Sequence, residues 1–510
     1  MAPDRGRRDV SARLRQIVRQ HLPIAALLVA LLIVPVEFGV VGAYAPASTR
    51  IAALLLPQDG RRDSSSVGTL IKTNIPYVDA QPLFELLRQD LLPPELREKT
   101  ASERQLEWPN WVKRRDAEIR SRLLAGDEAS IVNLLFFGTR FTKEARVQYA
   151  DIPNLDQSAD ARVLIQTRLD DFVVGIASPG TNGRLRFARA VVTSQGMTPA
   201  TAAGRRQVRA YLVRIMRRAV DDHRRYEQAT WSLKLLADSE AELSGRSTLY
   251  RDRGLSSDTS LFPDFAVEEA LKSIKAAQLL GDREVRRVAI IGPGLDIANK
   301  DEGYDFYPEQ TLQPFAVIDS LIRLGLAGAD PVRTMTFDLN PQVTQHLAAA
   351  RLRARAGQGY TVELARNTNE RWNSDLVKYL ERFGDTIGQQ TIPVTAPSNV
   401  GGVEVRAVRI RPAVILGILP QDLNVIVQRV EPVTSEERFD LIVATNLLIY
   451  YDVFEQALAL ANVAKMLRPG GLFLSNDFVF PAANMSVAGY TDVPYTDAGD
   501  GDRIWWYQRQ

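Results

Sequence analysis

From residue 285 to the C-terminus, short apolar runs alternate with helical stretches. The runs cover 288–291, 334–338, 414–419, 439–445 and 471–475, and between them apolar positions recur three and four apart over 315–324, 343–356 and 454–466. Near-continuous apolar strands alternating with helices predict an α/β fold, a doubly wound and mostly parallel sheet with right-handed crossovers. Residues 503–509 (Arg-Ile-Trp-Trp-Tyr-Gln-Arg) predict a last strand, and 497–502 before it (Asp-Ala-Gly-Asp-Gly-Asp) a hairpin turn. The Leu467-Arg-Pro-Gly-Gly471 run predicts a turn, because proline stops a helix and glycine permits a reversal.

Upstream the pattern is helical for most of two hundred residues, with amphipathic spacing at 82–88 and 117–124. Gly126-Asp-Glu128 is expected to end the second of these and to cap the next helix, 129–137. A long helix follows over about 204–236. It carries Arg205, Arg206, Arg209, Arg214, Arg217, Arg218, Arg224 and Arg225 beside a stripe of Val208, Tyr211, Leu212, Ile215 and Ala219. Its basic face is open to two readings, a solvated surface or a contact with anionic lipid or an acidic partner.

Residues 22–36 are uncharged, and only Glu37 interrupts the apolar block before it continues through 45. A helix of about 24 residues can cross roughly 30 Å of hydrocarbon. Arg5, Arg7, Arg8, Arg13, Arg15 and Arg19 precede it, which favours a cytoplasmic N-terminus. A cleaved signal ending at Ala43-Tyr-Ala45 competes with this, although Pro46 disfavours cleavage there, and a non-spanning apolar helix is the third alternative. The chain thus divides into a basic segment (1–21), a single-pass membrane anchor (22–45), a linker (46–66), a mainly helical domain (67–250), a linker or lid with a helix (251–284) and the α/β domain (285–510).

Composition narrows the chemistry. The chain has 510 residues, 45% of them apolar and 24% charged, with a net charge of +2, which gives no reason to expect nucleic acid as a partner. It contains no cysteine, which excludes disulfides, zinc–thiolate sites, iron–sulfur clusters and thiol nucleophiles. Its three histidines, His21, His223 and His346, lie far apart in sequence.

Each strand of the C-terminal region ends on a glycine, carboxylate or amide: Gly292-Pro-Gly294-Leu-Asp296 after the first, Asp338-Leu-Asn340 after the second and Asn446 after the fourth. Open parallel sheets present ligand-binding groups there. Together with the closing hairpin, this series resembles the class I S-adenosylmethionine-dependent methyltransferases over residues 285–510. The segment from Phe439 to Asp452, with its Phe-Asp-Leu-Ile start and Leu-Ile-Tyr-Tyr continuation, is similar to chemotaxis-receptor (CheR-type) glutamate methyltransferases. As a dinucleotide fingerprint the glycine loop fails, since Ile297 stands where the third glycine is needed.

The resemblance implies S-adenosylmethionine as cofactor and an unknown methyl acceptor, either protein or small molecule. Gly292 and Gly294 would let the backbone approach the cofactor, Asp338 would accept both ribose hydroxyls, Asp422 would face the adenine amino group, Leu423 would pack on the ring, and Asn446 would line the methyl-bearing end with Tyr450 nearby. Relatives usually carry an acid two residues before the first glycine. Ile290 stands there, and Asp296 is the expected substitute. For an oxygen or nitrogen acceptor, Asp296 and Asp452 are the candidate bases. Residues 298–314 form an insertion beside the cofactor that offers a place for acceptor specificity; its acids Asp301, Glu302, Asp305 and Glu309 read as a solvated loop rather than a metal site. The arginine bias places everything after residue 45 outside, whereas the cofactor is made in the cytoplasm; the expectation is an enzyme held at the cytoplasmic face of the membrane. The competing expectation is a catalytically degenerate module acting as a membrane-tethered sensor or scaffold.

Overall fold

In the computed structural model the described residues are 71–147, 152, 158–234, 254–281, 283–297, 304–328, 332–398, 400–431, 434–480, 484–497 and 499–510. The apolar segment 22–45 and acids Asp301 and Glu302 lie outside them. Among the described residues no helix is long and apolar enough to cross a membrane.

Among the described residues the first element is strand β1 (Ile71–Asn74), followed by helices α1 (Tyr77–Leu86), α2 (Ala101–Ser121), α3 (Leu123–Phe137), α4 (Ala159–Ala177), α5 (Gly183–Ser194), α6 (Ala202–Lys234) and α7 (Leu261–Ala276). Strand β2 (Arg287–Ile291), helix α8 (Gln313–Arg323), strand β3 (Arg333–Asp338) and helix α9 (Pro341–Arg355) come next. Then follow β4 (Tyr360–Asn367), α10 (Ser374–Arg382), β5 (Gly388–Thr391), β6 (Val403–Ile410), β7 (Ile418–Asp422) and β8 (Gln428–Glu431). The chain closes with β9 (Phe439–Ala444), α11 (Val453–Met466), β10 (Leu467–Ser475), β11 (Met485–Pro494) and β12 (Gly501–Arg509).

The main sheet has seven strands in the order β11-β12-β10-β9-β2-β3-β7. The five from β10 to β7 run parallel, and β12 and β11 close the edge as an antiparallel hairpin. This is a Rossmann-like arrangement, with order reversing beside β2: β3 lies on one side of it and β9 on the other. Every residue of β9 is buried, as is Val288 through Ile291 of β2, because helices cover both faces of a parallel sheet. One face packs under α7, α8 and α10. The other packs under α11, α1 and α2, where Trp108 and Trp111 stack at 4.9 Å and Phe454 meets the Trp111 ring edge-on at 5.8 Å. Helices α3 to α6 share a third cluster, which also takes in Leu295, Ile297 and Val343. Capping boxes fix the starts of α2 (Thr100 with Glu103) and α11 (Asp452 with Glu455).

Four expectations are corrected. The strand placed at 414–419 begins only at Ile418, because Pro412–Leu416 folds as a short helix. Gly126 does not end a helix; it lies inside α3, and the break falls at Arg122. The 467–471 run is no turn but the first half of β10, its Gly470 at φ 73° in a register shift between Leu467 and Leu472. Finally, a separate antiparallel sheet of order β4-β6-β5 stands between α9 and β7, where no strands were expected.

Candidate functional site

A pocket of about 790 Å³, including its open mouth, lies over the C-terminal ends of β2, β3, β7 and β9. Its floor carries Gly292, Gly294, Asp338, Leu423 and Asn446, so five of the seven residues singled out from sequence come together there. Both glycines are left-handed, at φ 68° and 66°. A Cβ on Gly292 would come within 3.1 Å of Leu447, and one on Gly294 within 2.6 Å of the Ser257 carbonyl oxygen.

Asp338 ends β3 without capping the helix that follows. Asn340 takes that task, its side chain accepting from the Gln342 N–H at 2.9 Å. Asp338 instead accepts from the N–H of Asn340 at 2.8 Å, with the Gly294 and Leu339 N–H groups also turned to it. No cation pairs with it among the described residues, so burial dominates and pushes its carboxyl up to about 7. Beside it, Asn340 donates to Asp127 at 2.9 Å; burial raises that carboxyl to about 6.

Residues 255–259 form the wall beside the glycine loop. The Leu295 N–H donates to the Ser257 carbonyl at 2.7 Å, and the Thr259 N–H to the Leu295 carbonyl at 3.2 Å. Helix α3 holds this strap from behind. Asp258 accepts from Ser130 at 3.0 Å and Asn133 at 2.9 Å, and the Leu255 N–H reaches the Arg122 carbonyl at 3.2 Å.

At the β9 end, Asn446 is left-handed at φ 54°, a conformation that asparagine tolerates better than most side chains. A two-way amide clamp holds it: its N–H donates to Asn476 Oδ1 at 2.7 Å, and Asn476 Nδ2 returns a bond to its Oδ1 at 2.6 Å. Asp477 secures the next turn by accepting from the Ile449 N–H at 3.1 Å; burial raises its carboxyl to about 6. Tyr450 and Tyr451 complete this side.

Two singled-out residues are not brought in. Asp296 is 4% exposed and turned away from the pocket, accepting from the Tyr307 hydroxyl at 2.6 Å and Gln310 at 3.1 Å. The cause lies far upstream, where buried Arg184 donates to the carbonyls of Asp296, Ile297, Asp305 and Tyr307 and draws this stretch under α5. Asp422 is more than half exposed and paired with Arg120 at 2.8 Å. Asp452 is spent as the cap of α11. Asp305 is no solvated acid: it is 1% exposed and accepts the Thr139 N–H and hydroxyl, both at 2.6 Å. Among the described residues, no group of three or more His, Asp or Glu side chains is placed to hold a metal ion. Sequence reasoning missed Asn340, Thr445, Asn476 and Asp127; the first three stand just past the ends of β3, β9 and β10, whereas Asp127 meets the site only through its contact with Asn340.

No protein-family model matches this chain, and no curated protein is similar to it in sequence. Among solved structures it overlaps TrmN from Thermus thermophilus at 13% identity with a TM-score of 0.23, over 51% of this chain and about half, 53%, of that one. It also overlaps MtNAS in complex with MTA and tNA at 10% identity with a TM-score of 0.21, over 67% of this chain and 96% of that one. At TM-scores this low the overlap carries no weight beside the strand order itself.

Proposed function

We propose that the protein is an S-adenosylmethionine-dependent methyltransferase. The observation that carries this is Asp338: a half-buried carboxylate at a strand end beside two left-handed glycines, whose partners are all backbone N–H groups. A vicinal diol supplies the two donors that such a group lacks. The lining fits the rest of the cofactor. Leu423 and Val425 offer an apolar slot for a base, and the pocket holds Asp258 and Asp338 with no lysine or arginine among its described residues. That charge balance suits a cationic sulfonium and repels a pyrophosphate, which argues against a nicotinamide nucleotide.

The bound cofactor would supply an activated methyl group on a sulfonium. The chain's part is then alignment and exclusion of water. Asp338 would hold the ribose, the strap would close the pocket against α3, and the Asn446–Asn476 clamp would fix the wall where the acceptor enters. With Asp296 and Asp452 both occupied structurally, neither serves as a base, which favours an acceptor that needs none, such as the carboxylate suggested by the likeness of 439–452 to receptor methyltransferases. Calorimetric titration of the intact chain should show one site saturating below millimolar S-adenosylmethionine; no heat at millimolar cofactor would leave the degenerate-module alternative.

The proposal includes attachment to a membrane through residues 22–45, with the catalytic region on the cytoplasmic side. Protease added to spheroplasts should leave residues after 60 intact. Digestion from outside would overturn that placement.

A further inference from the structure

We infer that the Thr445 hydroxyl is a ligand-binding donor for the carboxylate of the cofactor's amino-acid tail, held in that role by the positioning residues Gln313 and Asp264. This rests on the cofactor reading above and assigns a part of the same pocket.

The strand order lays the ligand out. Leu423 follows β7, Asp338 ends β3, Gly292 follows β2 and Thr445 follows β9, and these strands are neighbours in that order. In the parallel register Ile291 pairs with Ala444, which makes Gly292 and Thr445 the next residues side by side. Adjacent strands lie about 4.8 Å apart, so three steps cover roughly 14 Å, the length of an extended nucleoside with an amino-acid tail. With base at β7 and ribose at β3, the tail falls over β2 and β9. A carboxylate there meets no lysine or arginine among the described lining residues and must be held by neutral donors.

Thr445 is 7% exposed and lines the pocket. Its Oγ accepts from Gln313 Nε2 at 2.7 Å, which leaves the hydroxyl proton to point elsewhere. Behind it, Gln313 and Asp264 are each 2% exposed, and Gln313 Oε1 and both Asp264 oxygens are buried without a hydrogen-bond partner in standard geometry. The Gln313 and Asp264 side chains are neighbours; a proton on Asp264 would let it donate to Gln313 Oε1 and give both a partner. Burial favours that proton, pushing the Asp264 carboxyl well above its ordinary range. Gln313 then has its orientation fixed, Nε2 toward Thr445, and the threonine proton is directed into the pocket.

The test compares S-adenosylmethionine with 5′-methylthioadenosine, the same nucleoside without the amino-acid tail, by calorimetry on the full chain. Thr445→Val should weaken S-adenosylmethionine about tenfold or more, as loss of a hydrogen bond to a charged group does, and leave methylthioadenosine unchanged. Thr445→Ser should restore the affinity. Asp264→Asn, whose amide still donates to Gln313, should bind both ligands as wild type does, while Asp264→Leu should lose affinity for the tailed ligand alone. Retained methylthioadenosine binding reports that each variant is folded. If wild type binds S-adenosylmethionine and Thr445→Val binds it equally well, or loses both ligands in parallel, the assignment is overturned; if wild type binds neither, the cofactor reading falls with it.

Discussion

Asp338→Asn is expected to weaken S-adenosylmethionine binding at least a hundredfold while leaving the fold as stable as before or more so. Two hydroxyl donors to one carboxylate contribute about 1.5–3 kcal/mol each, and an amide keeps at most part of that. The stability half follows from burial. With its carboxyl pushed up to about 7, Asp338 contributes stability that is fully present below its unfolded value near 3.8 and is lost as pH rises through 7. At pH 8 the free protein therefore carries a partly desolvated charge with no cation beside it among the described residues, which asparagine removes. Binding runs the other way, because hydroxyl donors favour the charged form. Wild-type affinity should rise by up to about tenfold per unit as pH climbs toward 7, with proton release on binding below that pH. Calorimetry in two buffers of different ionisation heat measures that release, and the Asn variant should show none of it. A variant that binds like wild type would remove Asp338 from the site.

The sequence carried the parallel core well, because strands buried on both faces write themselves as unbroken apolar runs. It carried β7 poorly: Val414 and Ile415 are as apolar and as buried as a strand residue, but Pro412 starts a helix there. The β4-β6-β5 sheet has its own signal, since Val403-Glu-Val-Arg alternates as a half-exposed strand should. Around the pocket, Gly292, Asp338, Leu423 and Asn446 at strand ends were legible, whereas Asp127, recruited from α3, was not. Asp296 has the right spacing for the loop, yet Arg184, 112 residues earlier, ties its backbone to α5. Asp422 sits one residue from pocket-lining Leu423, but Arg120 draws it outward. Helix α3 was misread at Gly126 for a related reason. A glycine there looks like a stop signal, and only the folded chain shows what it makes room for.

Gly126→Ala is expected to destabilise the protein by about 3 kcal/mol, the upper end of overpacking, against a helix propensity that alone would favour alanine by about 1 kcal/mol. The sign decides between the two effects. A Cβ at position 126 would lie 1.8 Å from the Leu255 carbonyl oxygen and 2.4 Å from its carbon, and one on Gly254 would lie 2.1 Å from the Gly126 nitrogen. Backbone meets backbone on both sides, so no rotamer change relieves the overlap. Helix and strap must part, and with the strap go Ser257 and its bond to Leu295, the contact that holds the glycine loop. Cofactor affinity should therefore fall along with stability. Gly175→Ala provides the control, since it also lies inside a helix but would meet only the flexible Leu185 side chain at 3.0 Å. Its expected change is within about 1 kcal/mol of wild type. Urea unfolding of the two variants, paired with cofactor titration, checks both effects. A stabilised Gly126→Ala protein that still binds would show that α3 does not hold the strap in place.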